Sequence, residues 1–157
     1  MNAVSLSEVK RELTHVSPST LQALCLRLAR YKKENKELLT YLLFEAHDES
    51  AYLERVKQEM DDLFEAIPKT NVYFIKKSLR KVLRILNKQI RYSGIKQSEL
   101  ELRIYFCRKV SEAGIRLLPS QVLINMYQQQ LKKIDSVLEK LPEDLKYDYH
   151  GDIKRLR

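Results

Sequence analysis

Between Ile67 and Ser98 the chain carries no Asp or Glu, while nine Lys and Arg residues stand between Lys69 and Lys96. Inside that run Val72, Ile75, Leu79, Val82, Leu83, Leu86 and Ile90 recur at steps that suit a helix. At about 100° per residue these seven positions share one arc roughly 100° wide. A strand, which alternates faces every second residue, would scatter them over both sides. The run is therefore a long amphipathic helix. Asn71 or Thr70, just after Pro68, can cap its start, and Gly94 suits a left-handed C-terminal cap. About 22 residues at 1.5 Å each make a rod of roughly 33 Å, enough to span a domain of this size.

Opposite the apolar arc fall Lys77, Arg80, Lys81, Arg84, Lys88 and Arg91, with Tyr73 among them and Lys76 at the edge. Phe74, Ile85 and Tyr92 make a third strip beside the cations and call for a second neighbour there. The cationic side has two readings. As a binding face, its cations would neutralise phosphates or meet an acidic protein surface, and Tyr73 would stack a base. As an internal surface, it would border the acidic segment that precedes it. Residues 45–68 hold eight acids against Arg55 and Lys57, a net of −6 in a chain of net charge +8. Exposed ion pairs contribute about 0–1 kcal/mol each, so such bordering would set register more than stability.

Elsewhere, three glycines and four prolines among 157 residues leave few breakers for a many-turned β protein. The expectation is an all-α fold of about seven helices in successive antiparallel hairpins, closed as a bundle or stacked as a HEAT-like α-solenoid. Residues 1–150 are read as one helical domain, with 151–157 a basic, frayed tail. A capping box, Ser5 to Glu8, opens the first helix, and Ser17-Pro18 starts the second, with Leu21, Leu24, Cys25, Leu28 and Tyr31 inward. The third, Asn35 to His47, is apolar nearly all round and belongs in the middle of the packing. A fourth spans about Glu49 to Ile67, and Pro68 ends it. Beyond Gly94, Ser98 and Glu101 suggest a second capping box, and Gly114 a cap at the end of that helix. The seventh helix carries Ile124, Tyr127, Leu131, Ile134, Leu138 and Leu141 at steps of three and four, a seam suited to bundle packing or a homodimer.

Catalytic and metal-binding constellations are thin. His15, His47 and His150 lie far apart, and none has a Cys at metal-ligand spacing. Glu12-Leu13-Thr14-His15 is one Glu-x-x-His fragment, where a di-iron bundle needs two and further carboxylates. Glu45, His47, Asp48 and Glu49 point in different directions along a helix and read as a solvated end. No glycine-rich phosphate loop can be built from three scattered glycines. The expectation is a protein without enzymatic activity, cofactor or metal. The longest apolar cluster, Leu38 to Phe44, falls far short of a bilayer span, and no secretory signal opens the chain. Cys25 and Cys107 are read as free buried thiols of a cytoplasmic protein.

Ile90 to Leu100 resembles the turn of helix-turn-helix DNA-binding proteins, with Gly94, then apolar Ile95, then a polar helix start. The likeness implies DNA reading by the segment 79–113. That family implies a small residue where Ile90 stands and an aliphatic one where Arg103 stands, and this chain departs at both. Its would-be recognition helix also opens with Glu99 and Glu101, which repel phosphate. More loosely, Lys77-x2-Arg80-Lys81-x2-Arg84-x2-Asn87-Lys88-x2-Arg91-Tyr92, followed by Glu99-x-Glu101 and Phe106-Cys107, resembles small bacterial all-helical proteins. That likeness implies no activity and no site.

Overall fold

The computed structural model describes all 157 residues and contains eight α-helices and no strand. They are α1 (Leu6–Leu13), α2 (Pro18–Tyr31), α3 (Lys33–Thr40), α4 (Glu49–Glu65), α5 (Val72–Ser93), α6 (Lys96–Glu112), α7 (Gln121–Glu139) and α8 (Glu143–Lys154). A π-helical turn, Tyr41–Glu45, follows α3 directly. The all-helical expectation holds. The contacts divide the chain into two units, Met1–Phe44 and Glu45–Arg157, where the sequence suggests a single domain over 1–150.

Most helix ends fall where their capping chemistry puts them. Ser5 accepts the Glu8 N–H at 3.2 Å while the Glu8 carboxylate accepts the Ser5 N–H at 2.9 Å. Ser17 precedes Pro18, and Asn71 accepts the Tyr73 N–H at 2.8 Å. Gly94, at φ 68°, closes α5 with its N–H on the Ile90 carbonyl at 2.9 Å. The exception is the expected box at Ser98 and Glu101. α6 begins three residues earlier, at Lys96 with Ile95 as its N-cap, so Ser98 lies inside the first turn and is buried. Its hydroxyl donates to Glu49 at 2.7 Å instead, tying α6 to α4.

In the second unit the helix surrounded by others is α6, not α5. α4, α5 and α7 all pack against it. It buries Leu100, Leu102, Ile104, Phe106, Cys107 and Val110, residues that occupy about two thirds of the helix circumference and leave open the strip of Gln97, Arg108 and Glu112. Such a pattern belongs to a helix with neighbours on several sides. α5 buries only the stripe Ile75, Leu79, Val82, Leu86 and Ile90, which matches the sequence arc except that Val72 is exposed and Leu83 half-buried. The Tyr52 hydroxyl near the start of α4 donates to the Gln89 carbonyl near the end of α5 at 2.8 Å, so the two run antiparallel. Bonds from Ser98 to Glu49 and from Tyr105 to Asp61 set α6 parallel to α4.

The α7 seam is consumed within this unit. Leu131, Ile134 and Leu141 are buried, and Ile124, Tyr127 and Leu138 half-buried, which fits the bundle-packing expectation for this seam. Residues 151–154 complete α8 rather than fray. Past them the Leu156 carbonyl accepts the Tyr127 hydroxyl at 2.8 Å, and Arg157 pairs with Asp135.

The first unit is built differently. α2 and α3 pack on each other, yet α1, α2 and α3 bury no residue at all. Leu21, Leu24, Leu28 and Tyr31, expected inside, are exposed, and Cys25 is half-buried. The apolar third helix does not lie in the middle either. Leu38, Leu42, Leu43 and Phe44 all face solvent, and of that segment only Tyr41 is buried. The physical reason is size: about 40 residues cannot enclose a core.

The fold predicts a sharp contrast in urea unfolding. Phe106→Ala, which empties a fully buried site against Phe64, should cost about 3–5 kcal/mol. Leu118→Ala, at an exposed loop position, should stay within about 0.5 kcal/mol of the parent.

Candidate polyanion-binding surface

The surface is the outer side of α5, and its character depends on where the acids of α4 go. Asp61 accepts the Tyr105 hydroxyl at 2.6 Å and pairs with Lys109 at 3.1 Å, both on α6. Lys57 reaches Glu101 of α6 at 2.6 Å and Glu54 at 3.5 Å. Arg55 clamps Glu45 through two nitrogens, at 2.6 and 3.1 Å, and lies 3.7 Å from Glu59. Glu54, Glu59 and Asp61 are thus met by Arg55 and Lys57 of α4 and by Lys109 of α6, while Asp62 and Glu65 face solvent. No ion pair joins an α4 carboxylate to Lys76, Lys77, Arg80, Lys81, Arg84 or Arg91. For these six cations, internal pairing with helix 49–67 is not the arrangement found.

Of the sequence-selected residues, Tyr73, Lys77, Arg80, Lys81, Arg84 and Arg91 are exposed on one side of α5, and Lys88 is half-buried. The arc opposite the buried stripe is therefore a continuous cationic surface about four turns long. At its N-terminal end Tyr73 and Phe74 stack edge-on, centroids 5.4 Å apart, with both rings exposed. The first turn of α5 contains no acid. In the strip beside the cations only Ile85 and Tyr92 are half-buried, so the expected second neighbour covers its C-terminal part and leaves Phe74 bare.

The polar clusters singled out in the sequence have structural roles. Glu45 holds Arg55, Asp48 caps α4 by accepting the Ala51 N–H at 3.1 Å, and Glu49 receives Ser93 and Ser98 at 2.5 and 2.7 Å. His15, His47 and His150 are all exposed. The helix-turn-helix-like turn is present as α5, Gly94 and α6, but α6 is the helix enclosed by α4, α5 and α7. A recognition helix has to turn a free side into a groove, and the side α6 leaves open carries Glu101 and Glu112, which repel phosphate.

One group escapes sequence reasoning altogether. Arg103, 5% exposed, donates to Glu99 at 3.0 Å, to Asn87 of α5 at 3.1 Å and to Gln130 of α7 at 2.9 Å. Nearby, burial pushes the Cys107 thiol up to about 12 and leaves it inert, with the positive charge of Arg103 opposing the shift. The signal for Arg103 was its place among Leu102, Ile104, Phe106 and Cys107, on the apolar side of the helix.

Comparison with protein families, with curated proteins and with solved structures finds no match. The surface is therefore interpreted on its own chemistry.

The Asp61 cluster carries a pH signature. Burial, and then the bond to Asp61, raise Tyr105 from the usual 10.0 to about 12. A raised folded value means the contribution is whole below about pH 10 and drains as pH climbs toward 12. Tyr105→Phe should flatten the alkaline fall in stability over that window, followed by urea midpoint against pH. An identical slope in the variant contradicts the assignment.

Proposed function

We propose that this chain is a non-catalytic helical binding protein whose α5 outer face takes a polyanion, with single-stranded nucleic acid as the favoured class. The carrying observation is the row of exposed cations, Lys77, Arg80, Lys81, Arg84 and Arg91, none committed to an α4 acid. Desolvated phosphates gain most from cations that have no prior partner, and each contact releases a counterion. The exposed Tyr73 and Phe74 rings favour unpaired bases over a duplex, because stacking needs a free base face. α6 takes no part, since the strip it leaves open carries Glu101 and Glu112. The unpaired Cys25 and Cys107 fit a reducing cytoplasm, where we place this activity.

Anisotropy of labelled random single-stranded 20-mers, titrated across salt, tests this reading. With about five phosphate contacts, log K should fall against log salt with a slope near −3.5. Arg80→Glu/Lys81→Glu/Arg84→Glu should abolish binding with helicity unchanged. Tyr73→Ala should weaken binding by roughly 5- to 100-fold, the range expected for one stacked base. Absence of binding at low salt, or full binding by the triple variant, overturns the reading. Binding that polyglutamate displaces equally well, and that Tyr73→Ala leaves unchanged, would assign the face to an acidic protein surface instead.

A further inference from the structure

The main apolar surface of this protein lies away from α5. Fourteen of its twenty-one exposed large hydrophobic side chains belong to Met1–Phe44. On α2 they are regular: Leu21, Leu24, Leu28 and Tyr31 step by three, four and three. On α3 and the turn after it, Asn35, Leu38 and Leu42 step by three and four. These are the seam spacings of helices that pack on other helices. Both seams border one side of the α2–α3 hairpin, where Cys25, Leu28, Leu38 and Leu42 help line a shallow groove of about 200 Å³. No charged residue lines it. The single polar seam residue, Asn35, is already satisfied, donating to the Leu28 carbonyl at 2.8 Å.

We infer that this side of the α2–α3 hairpin is a self-association surface, and that its occupant is the same hairpin of a second copy. Area supports the match. Leu21, Leu24, Leu28, Leu38 and Leu42 are each about half exposed and Tyr31 is 77% exposed. Together they offer roughly 500–600 Å² of apolar surface, at the upper end of the largest patch on ordinary monomers. A stable dimer needs about 800 Å² per partner at about 65% apolar, or roughly 500 Å² of apolar area.

Charge selects this side and this partner. The opposite side of the hairpin, a larger groove of about 650 Å³, is rimmed by Arg30, Lys33 and Lys36. Pairing two copies there would set like charge against like across a two-fold axis. The uncharged side carries no such penalty, and its seams are complementary to themselves: two hairpins joined along them make a four-helix bundle. Glu45–Arg157 offers no equivalent surface, because its exposed apolar side chains are few, and only Val72, Tyr73 and Phe74 adjoin one another in sequence.

Sedimentation equilibrium of the full chain, with a photo-crosslinker introduced as Leu28→benzoylphenylalanine or Leu43→benzoylphenylalanine, tests the inference. The expected mass is twice 18.6 kDa at micromolar concentration. Crosslinks from position 28 should run to residues 18–44 of the second copy, and position 43, on the basic groove, should give none. Leu24→Glu/Leu28→Glu should sediment as a monomer whose α4–α8 helicity persists. The crosslinking arm keeps the inference testable even if that variant loses the hairpin. A monomeric parent chain overturns it and points to docking within one chain. A larger closed oligomer, a dimer that survives the double variant, or crosslinks from position 43 alone would equally overturn it.

Discussion

A buried guanidinium holds the second unit together. Arg103 lies inside α6 with its donors on Glu99 at 3.0 Å, Asn87 at 3.1 Å and Gln130 at 2.9 Å. A charge taken out of water costs several kcal/mol unless its partners are in place. Here one partner comes from α6 itself, one from α5 and one from α7, so the arrangement of three helices is fixed by a single side chain. No buried side-chain nitrogen or oxygen in the structure lacks a hydrogen-bond partner, so the cost is met in full. Around this tie, Leu100, Leu102, Phe106 and Cys107 supply the apolar packing, each almost fully enclosed.

That central position of α6 decides the character of the surface. Because α4 also packs on α6, its carboxylates meet Tyr105 and Lys109 there, and Lys57 meets Glu101. None of the α4 acids pairs with Lys77, Arg80, Lys81, Arg84 or Arg91 of α5. α5 uses one stripe for the core and presents Lys77, Arg80, Lys81, Arg84 and Arg91, exposed, on the opposite side. A net charge of +8 is thereby concentrated rather than dispersed, which is the condition for electrostatic attraction of a polyanion.

The sequence disclosed much of this, though unevenly. The α5 stripe and its Asn71 and Gly94 ends were legible, since periodicity and capping are local. So was the cationic side. Local patterns name an apolar face but not the neighbour that covers it. The α7 seam from Ile124 to Leu141 suited either bundle packing or a homodimer and is largely packed, while the α2 seam from Leu21 to Tyr31 looked internal and is bare. Ser98 suggested a cap because Ser three residues before Glu usually makes one, yet a start three residues earlier turned it inward to Glu49. The tie made by Arg103 was not legible, because beyond the local Glu99 its partners Asn87 and Gln130 lie 16 and 27 residues away.

Amide hydrogen exchange, read residue by residue in low denaturant, tests the central position of α6 most directly. If α6 is the enclosed helix, amides from Leu102 to Val110 should exchange only through global unfolding, at the highest free energy in the chain. Those of α5 and α7 should open at or below that value, and those of α1 should exchange first because it buries nothing. Amides of α5 or α7 that outlast those of α6 would contradict the account.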